Sequence, residues 1–116
     1  MTPKVLFIIA SDPRTSPRPA EAIRIAAGVG TWKKADVCVY LRGPAILALG
    51  EYVDELKDED NFTHYLPILK DFKRPVLVQK ASPFLAELGQ PSLPYEEIDD
   101  GQLATEAAGS NYVLRF

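Results

Sequence analysis

The feature that most constrains the fold of this chain is a set of three short apolar runs, each followed by a turn that contains proline. They span residues 5–9, 37–41 and 76–78, and a helix signal follows each turn. Strands that are apolar at every position, rather than at every second one, are typical of parallel sheets covered on both faces. The repetition of strand, turn and helix therefore predicts an α/β fold, a three-layer α/β/α sandwich on a mostly parallel five-stranded sheet.

Proline, glycine and capping residues give the expected bounds of the elements. We expect strands at 4–10, 36–41, 75–79, 95–98 and 112–116, and helices from about 16, over 44–49, up to 72, between 83 and 89, and over 100–108. Ser16 is expected to cap the first helix, and Gly50 to end the second in the left-handed conformation. Pro67 is expected to make the third helix begin late or kink. The acidic segment 51–61 is expected to be a solvated, mobile linker.

Composition excludes several classes of protein. A length of 116 residues suits a single domain over residues 1–116. A formal net charge of -3 without a cluster of Lys and Arg gives no electrostatic reason to expect nucleic acid or an anionic membrane as a partner. The opening apolar stretch is too short for a signal peptide or a membrane span, so we expect a cytoplasmic protein. One cysteine and one histidine leave no basis for a disulfide framework or a metal cluster, and no cofactor is expected.

Polar side chains follow the first three predicted strands. Asp12 and Arg14 follow the first strand, Arg42 the second, and Gln79 and Lys80 the third. Because the carboxyl ends of parallel strands meet at one edge, where α/β proteins bind ligands, we expect these side chains to line a binding cleft. The two arginines would fork onto a small anion, with Lys80 near the same ligand. The alternatives are an ion pair between Asp12 and Arg42 that ties the turns together, or ordinary solvation.

The same turns argue against other chemistries of α/β proteins. A dinucleotide site or a P-loop needs glycines near phosphate, yet residues 11–17 contain no glycine and two prolines. A phospho-receiver domain needs an acceptor carboxylate after the third strand, where Gln79 stands, and a cluster of acids, of which only Asp12 is present in the first turn. The chain has no G-x-S-x-G motif. We expect His64 to be polar surface, with a proton shuttle as the alternative.

Over nearly its full length the sequence resembles the DsrE/DsrF-like family of small α/β proteins, several of which act in sulfur relay. The resemblance is carried by the order and spacing of the blocks KVLFII (4–9), AEAIRIAAG (20–28), DVCVYLRG (36–43), PAILALG (44–50), RPVLVQ (74–79) and NYVLRF (111–116). It implies a DsrE-like fold. Members that transfer sulfur carry a reactive cysteine just after the third strand, and in this sequence Gln79 matches that position. An amide cannot carry sulfane sulfur, so the activity is not expected to come with the fold.

Cys38, the only thiol, lies in the middle of the second predicted strand between two valines. This position is typical of a small apolar core residue, whose thiol pKa is raised by burial. A sulfurtransferase that uses Cys38 is the main enzymatic alternative. The other is unrecognised chemistry around Asp12, Arg42 and Gln79.

These observations lead us to expect a DsrE-like protein that binds a small anion at the strand-end cleft or serves as a non-transferring component of an assembly. The resemblance implies a sulfur-relay protein as a partner and a homo-oligomer, since family members commonly form trimers or hexamers. The helix at 44–49 is almost wholly apolar, so we expect it to contact another subunit, in a trimer. An oligomeric scaffold with an empty cleft is the third alternative.

Overall fold

The computed structural model describes residues 2–32, 35–50 and 53–116 and contains a five-stranded sheet. Its strands are β1 (Lys4–Ile9), β2 (Asp36–Leu41), β3 (Val76–Gln79), β4 (Tyr95–Ile98) and β5 (Tyr112–Arg115). Their order across the sheet is β4-β3-β2-β1-β5, and all neighbouring strands are parallel. The predicted parallel sheet is confirmed, and each strand lies within one residue of its predicted bounds.

Helices cover both faces of the sheet. They are α1 (Arg18–Thr31), a 3-10 helix (Gly43–Leu49), α2 (Glu59–Lys70), α3 (Phe84–Leu88) and α4 (Asp100–Ala108). The first four pack on one face and α4 on the other, so the predicted three-layer sandwich is also confirmed. Within the described residues, no helix has both the length and the apolar character that crossing a membrane requires.

The two helix layers explain why the strands are apolar at every position. Successive side chains of a strand point to opposite faces of its sheet. On β1, Phe7 and Ile9 pack in the layer of α1 and α2, whereas Leu6 and Ile8 pack in the layer of α4, with Leu103. All four strand side chains are buried. An alternating pattern would have left one of these layers without an apolar sheet face to cover.

The connection through α4 differs from the others in the face that it covers. Strands β1 to β4 occupy successive positions in the sheet, and their connecting helices lie on one face. The chain then crosses the opposite face through α4 and returns to β5, beside β1. The connections that leave β3 and β4 therefore diverge to opposite faces. In open parallel sheets, such a divergence creates a crevice outside the carboxyl ends of the strands.

The apolar segment after β2 lies inside the molecule. Four of its side chains are fully buried: Ala45, Ile46, Ala48 and Leu49. Since α1 and α3 pack against this helix, its apolar side chains are covered within the chain and no longer give a reason to expect a contact with another subunit. Gly50 has a φ of -69°, so it does not end the helix in the left-handed conformation as expected. Its backbone lies close to the Leu88 carbonyl, 3.2 Å from where a Cβ would stand.

The first helix packs through a glycine. α1 begins at Arg18, and the Ser16 hydroxyl accepts a hydrogen bond from the Arg18 N–H at 3.2 Å. Ser16 therefore binds a free amide of the first turn, although Pro17 is the N-cap residue. Near the other end of α1, the Phe72 ring lies directly over Gly30, where any Cβ would overlap the ring. The small residue is what allows this close contact.

α2 begins at Glu59, within the acidic segment 51–61, so the late start expected from Pro67 is wrong. Glu51 and Tyr52, at the start of that segment, lie outside the described residues. The buried side chains Phe62, Leu66 and Leu69 form the apolar face of this helix. Pro67 lies in the helix interior and has no N–H to donate to the carbonyl of Thr63, four residues earlier.

Candidate functional site

The candidate site lies at the carboxyl edge of the sheet, where the neighbouring strands β1, β2 and β3 end. The turns that hold the five predicted site residues therefore lie side by side. Their side chains nevertheless fall into separate groups. Asp12 and Arg14 bind each other, whereas Arg42 and Gln79 bind residues of β2, α4 and the turn after β2.

Gln79 joins the turn after β3 to the turn after β2. Its side-chain Oε1 accepts a hydrogen bond from the Gly43 N–H at 3.0 Å. Gly43 has a φ of +56°, a conformation that glycine adopts without strain. Because Gly43 directly follows Arg42, this bond fixes the backbone that carries the arginine. Gln79 is therefore a structural hydrogen-bond acceptor at the end of β3.

Arg42 bridges β2 and α4. Its Nη1 donates to the Tyr40 hydroxyl at 3.2 Å and to Asp100 Oδ1 at 3.0 Å. Tyr40 is fully buried, and this burial raises the pKa of its hydroxyl, which therefore stays protonated. The Asp100 carboxylate raises the pKa of Arg42, so the guanidinium is permanently charged. The Asp100 side chain is 78% exposed, and ion pairs this open to water contribute only about 0–1 kcal/mol.

Asp12 and Arg14 form a forked ion pair within the turn after β1. Arg14 Nε donates to Asp12 Oδ1 at 3.0 Å, and Arg14 Nη2 donates to Oδ2 at 2.9 Å. The hydrogen-bonded guanidinium lowers the pKa of Asp12. Arg14 also lies over the Phe84 ring, 5.8 Å from its centre. The alternative ion pair between Asp12 and Arg42 is wrong, because each of the two has a different partner.

Lys80 and Ala81 lie at the crevice between the ends of β3 and β4. The Lys80 N–H donates to the Ile98 carbonyl at 2.9 Å, and the Lys80 side chain is exposed. Ala81 has a φ of +57°, and its N–H donates to a carboxylate oxygen of Glu97 at 3.2 Å. These bonds hold the backbone after β3 in place and leave the ammonium of Lys80 in water at the edge of the site.

Cys38 lies away from this edge, in the apolar layer that faces α4. It is 2% exposed, which confirms the interpretation of a core residue. Burial, together with the smaller effect of the Glu106 carboxylate, raises the pKa of the thiol to about 11. Because the thiolate is the nucleophilic form, the protonated thiol of neutral pH is unreactive.

His64 lies on an exposed position of α2, as expected of polar surface, with its ring edge-on to Tyr65 at 4.7 Å between centres. In the three ranges that the structure describes, the His, Cys, Asp and Glu side chains form no group of three or more that could hold a metal ion.

Two residues of the site were missed by sequence reasoning, Tyr40 and Asp100. Tyr40 had a usable signal, because it stands two residues before Arg42, whose backbone is still extended just after β2, so the two side chains point to the same face. Asp100 had none. Its contact with Arg42 depends on α4 crossing the face opposite to the other helices, which no local pattern encodes.

The arrangement suits binding of an anion better than covalent chemistry. Arg42 uses only Nη1 for its hydrogen bonds to Tyr40 and Asp100. Because a guanidinium has five N–H donors on three nitrogens, the N–H groups on Nε and Nη2 can bind an anion. Lys80 adds a second charge at the end of the neighbouring strand. The chain's only thiol is buried elsewhere in the sheet.

The fold matches that of the YchN protein from E. coli, whose crystal structure superposes with a TM-score of 0.78 over 100% of each chain, at 21% sequence identity. No protein-family model and no curated protein matches this sequence. At this level of identity the likeness establishes the architecture alone. The chain has the DsrE-like α/β fold that YchN has.

Proposed function

We propose that this protein binds a small anion at Arg42 and Lys80 and does not itself carry sulfur. The observation that carries the proposal is the hydrogen bond from the Gly43 N–H to Gln79 Oε1 at 3.0 Å. It gives a structural role to Gln79, the residue that the sequence resemblance aligns with the reactive cysteine of sulfur-transferring DsrE-like proteins. It also fixes the turn that holds Arg42.

The thiol of Cys38 is poorly placed to carry sulfur. Transfer of sulfane sulfur requires a thiolate that a donor can reach. Cys38 is 2% exposed, and burial raises the pKa of its thiol to about 11. The sulfurtransferase alternative is therefore disfavoured by both access and ionisation.

The anion would take the place of the Asp100 carboxylate on Arg42. Exchange costs little, because the ion pair with Asp100 is exposed and weak. A hydrogen bond between charged groups contributes about 1.5–3 kcal/mol when it is well formed. The buried Tyr40 hydroxyl supports this exchange, since it contacts the same guanidinium nitrogen and keeps the side chain in position.

The claim about sulfur is tested by intact-mass analysis after incubation with a sulfane-sulfur donor. The wild-type protein is expected to gain no sulfur. Gln79→Cys, which places a thiol at the end of β3, is expected to gain one sulfur atom. A stable gain of one sulfur by the wild-type protein would show that Cys38 does accept sulfur.

The claim about the anion is tested by thermal stabilisation with phosphate, sulfate, thiosulfate and nucleotides. At least one of them is expected to raise the melting temperature of the wild-type protein, and Arg42→Ala is expected to weaken that effect about tenfold in ligand concentration. Arg24→Ala is the matched control, because Arg24 has an exposed acidic partner, Glu21, on the outside of α1. Equal shifts in melting temperature for the wild type, Arg42→Ala and Arg24→Ala would contradict anion binding at Arg42 and favour the alternative of an oligomeric scaffold.

We also propose a second role, the assembly of identical subunits, and base it on β5 and not on the helix at 43–49. Tyr112 and Leu114 are 61% and 41% exposed on β5, an edge strand whose one neighbour is β1. An unpaired edge with exposed apolar side chains favours pairing with another chain. Sedimentation at micromolar concentration is expected to give an oligomer that Tyr112→Glu dissociates. A monomeric mass for the wild-type protein would reject this role.

A further inference from the structure

The two edges of the sheet carry opposite charges. β4 and β5 are the edge strands, and each has one neighbour within the sheet. β4 carries two exposed glutamates, Glu96 and Glu97. β5 carries the exposed Arg115, and Arg18 of α1 lies over the Phe116 ring just after β5, 5.7 Å from its centre. Within the described residues, none of these four charged side chains forms an ion pair.

Glu96 and Arg115 end the same row of side chains across the sheet. Arg115 is the register partner of Ile8, and Ile8 is the register partner of Tyr40. Tyr40 is in turn level with Leu77, and Leu77 with Glu96. The three inner residues of the row all lie in the layer that faces α4. Because register partners point to the same face of a parallel sheet, the acid and the base also point to that face.

The preceding row lies on the opposite face, because it is one residue earlier in every strand. It runs through Tyr95, Val76, Val39, Phe7 and Leu114. Its inner residues are buried. At its two ends, Tyr95 is half-buried and Leu114 is 41% exposed. This row therefore has apolar side chains at both edges of the sheet.

The following row ends in a second pair of opposite charges. It begins at Glu97 and reaches Ile9 on β1 through β3 and β2. Phe116 is level with Ile9, because its N–H and its carbonyl bond to the residues on either side of Ile9, both at 2.9 Å. Since Arg18 covers the Phe116 ring, this row has an acid at the β4 edge and a base at the β5 edge.

We propose that copies of this chain join head to tail, with β5 of one copy paired in parallel with β4 of the next. The inference rests on the proposed assembly of identical subunits and names the interface that forms it. Continuing the rows from one copy into the next brings three matched pairs together: Arg115 with Glu96, Leu114 with Tyr95, and Arg18 with Glu97. The junction is thus complementary in charge on both faces of the sheet.

The same charges disfavour pairing between like edges. Two β5 edges would bring two basic surfaces together, and two β4 edges would bring two acidic ones together. A junction of unlike edges avoids this repulsion and gives the free amides and carbonyls of both strands their partners. Adjacent strands twist by about 20–25°, so each copy is rotated relative to the last about an axis that runs across the sheet. Such a contact forms an open chain, whose mass grows with protein concentration.

The charges are tested by sedimentation of charge-reversed variants. Glu96→Arg and Arg115→Glu are each expected to weaken association at least about tenfold, because each places like charges side by side. An equimolar mixture of the two variants, and the double variant, are expected to restore association, since opposite charges then meet again. Glu55→Arg makes the same change of charge at an exposed position outside both edge strands and is expected to change nothing.

The sedimentation results separate this junction from the general proposal of assembly. Association that survives Glu96→Arg but is lost in Tyr112→Glu would overturn the head-to-tail junction and leave assembly through β5 standing. A wild-type protein that stays monomeric would reject both.

The register is tested by disulfide formation between Leu114→Cys and Tyr95→Cys. Neighbouring strands lie about 4.8 Å apart, within the range that a disulfide spans between Cα atoms. A mixture of the two variants under a mild oxidant is expected to give a disulfide-linked dimer. Neither variant alone is expected to do so, since Cys38 is buried. A linked dimer from Leu114→Cys alone, or an associated mixture that gives none, would contradict the proposed junction.

Discussion

Gln79 Oε1 accepts a hydrogen bond from the Gly43 N–H at 3.0 Å, so a side chain at the end of β3 closes the turn after β2. Gly43 is half-buried, and Gln79 Oε1 is the acceptor that its N–H has in the described structure. Removing the acceptor therefore leaves a donor that only water can satisfy.

Gln79→Ala is accordingly expected to lower the free energy of unfolding by about 1–2 kcal/mol, as measured by urea denaturation. Gln90→Ala, at an exposed position in the loop before β4, is expected to change it by less than about 0.5 kcal/mol. Equal losses in the two variants would mean that the bond contributes nothing to stability.

Cys38 is expected to react slowly with thiol reagents in the folded protein. Its side chain is 2% exposed, and the raised pKa of about 11 leaves little thiolate at neutral pH. A colorimetric thiol titration is expected to show complete labelling only after denaturant is added. Rapid stoichiometric labelling of native protein would contradict this prediction.

The same raised pKa predicts a loss of stability in alkaline solution. The unfolded thiol loses its proton near its ordinary value of 9.0, whereas the folded thiol keeps it to about pH 11. The favourable contribution of the protonated thiol is thus complete below pH 9 and falls as the pH rises towards 11, by up to about 3 kcal/mol. Urea denaturation from pH 8 to 11 is expected to show a shallower decline for Cys38→Ala than for the wild-type protein, and parallel curves would count against the shift.

Ala81 is expected to be a stabilising site for glycine. An L-residue with a φ of +57° costs roughly 1–2 kcal/mol, which exceeds the entropic cost of glycine. Ala81→Gly is expected to raise the free energy of unfolding by about 0.5–1 kcal/mol. Ala86→Gly, at an exposed position of α3, is expected to lower it by a similar amount. The prediction fails when both variants shift in the same direction.

The two glycines of α1 are expected to respond oppositely to alanine. A Cβ at Gly30 would overlap the Phe72 ring, whereas a Cβ at Gly28 would meet nothing within 4 Å. Gly28→Ala is expected to stabilise the protein by about 0.5–1 kcal/mol through helix propensity. Gly30→Ala is expected to destabilise it by about 1–3 kcal/mol through overpacking. Thermal denaturation of the two variants would show whether each substitution raises or lowers the stability. Stabilisation by Gly30→Ala would contradict the prediction and show that the Phe72 ring can move away from residue 30 at little cost.

Local patterns predicted the strands and most of the helices because apolar periodicity, caps and prolines act over a few residues. β2 and α4 have their predicted bounds for this reason. Those patterns did not predict which charged groups would meet. Arg42 binds Asp100, 58 residues away, because of the way α4 crosses the sheet. The burial of the 3-10 helix was missed likewise, since it depends on how α1 and α3 pack around it.

The placement of β5 beside β1 has a consequence for the growing chain on the ribosome. β1 is synthesised first, but one of its two neighbours is made of residues 112–115. Until those residues emerge, the outer edge of β1 has free amides and carbonyls beside the apolar side chains of Phe7 and Ile8. While residues 10–111 are being made, the growing chain therefore exposes a strand edge that can pair with other chains, and such edges favour binding by chaperones.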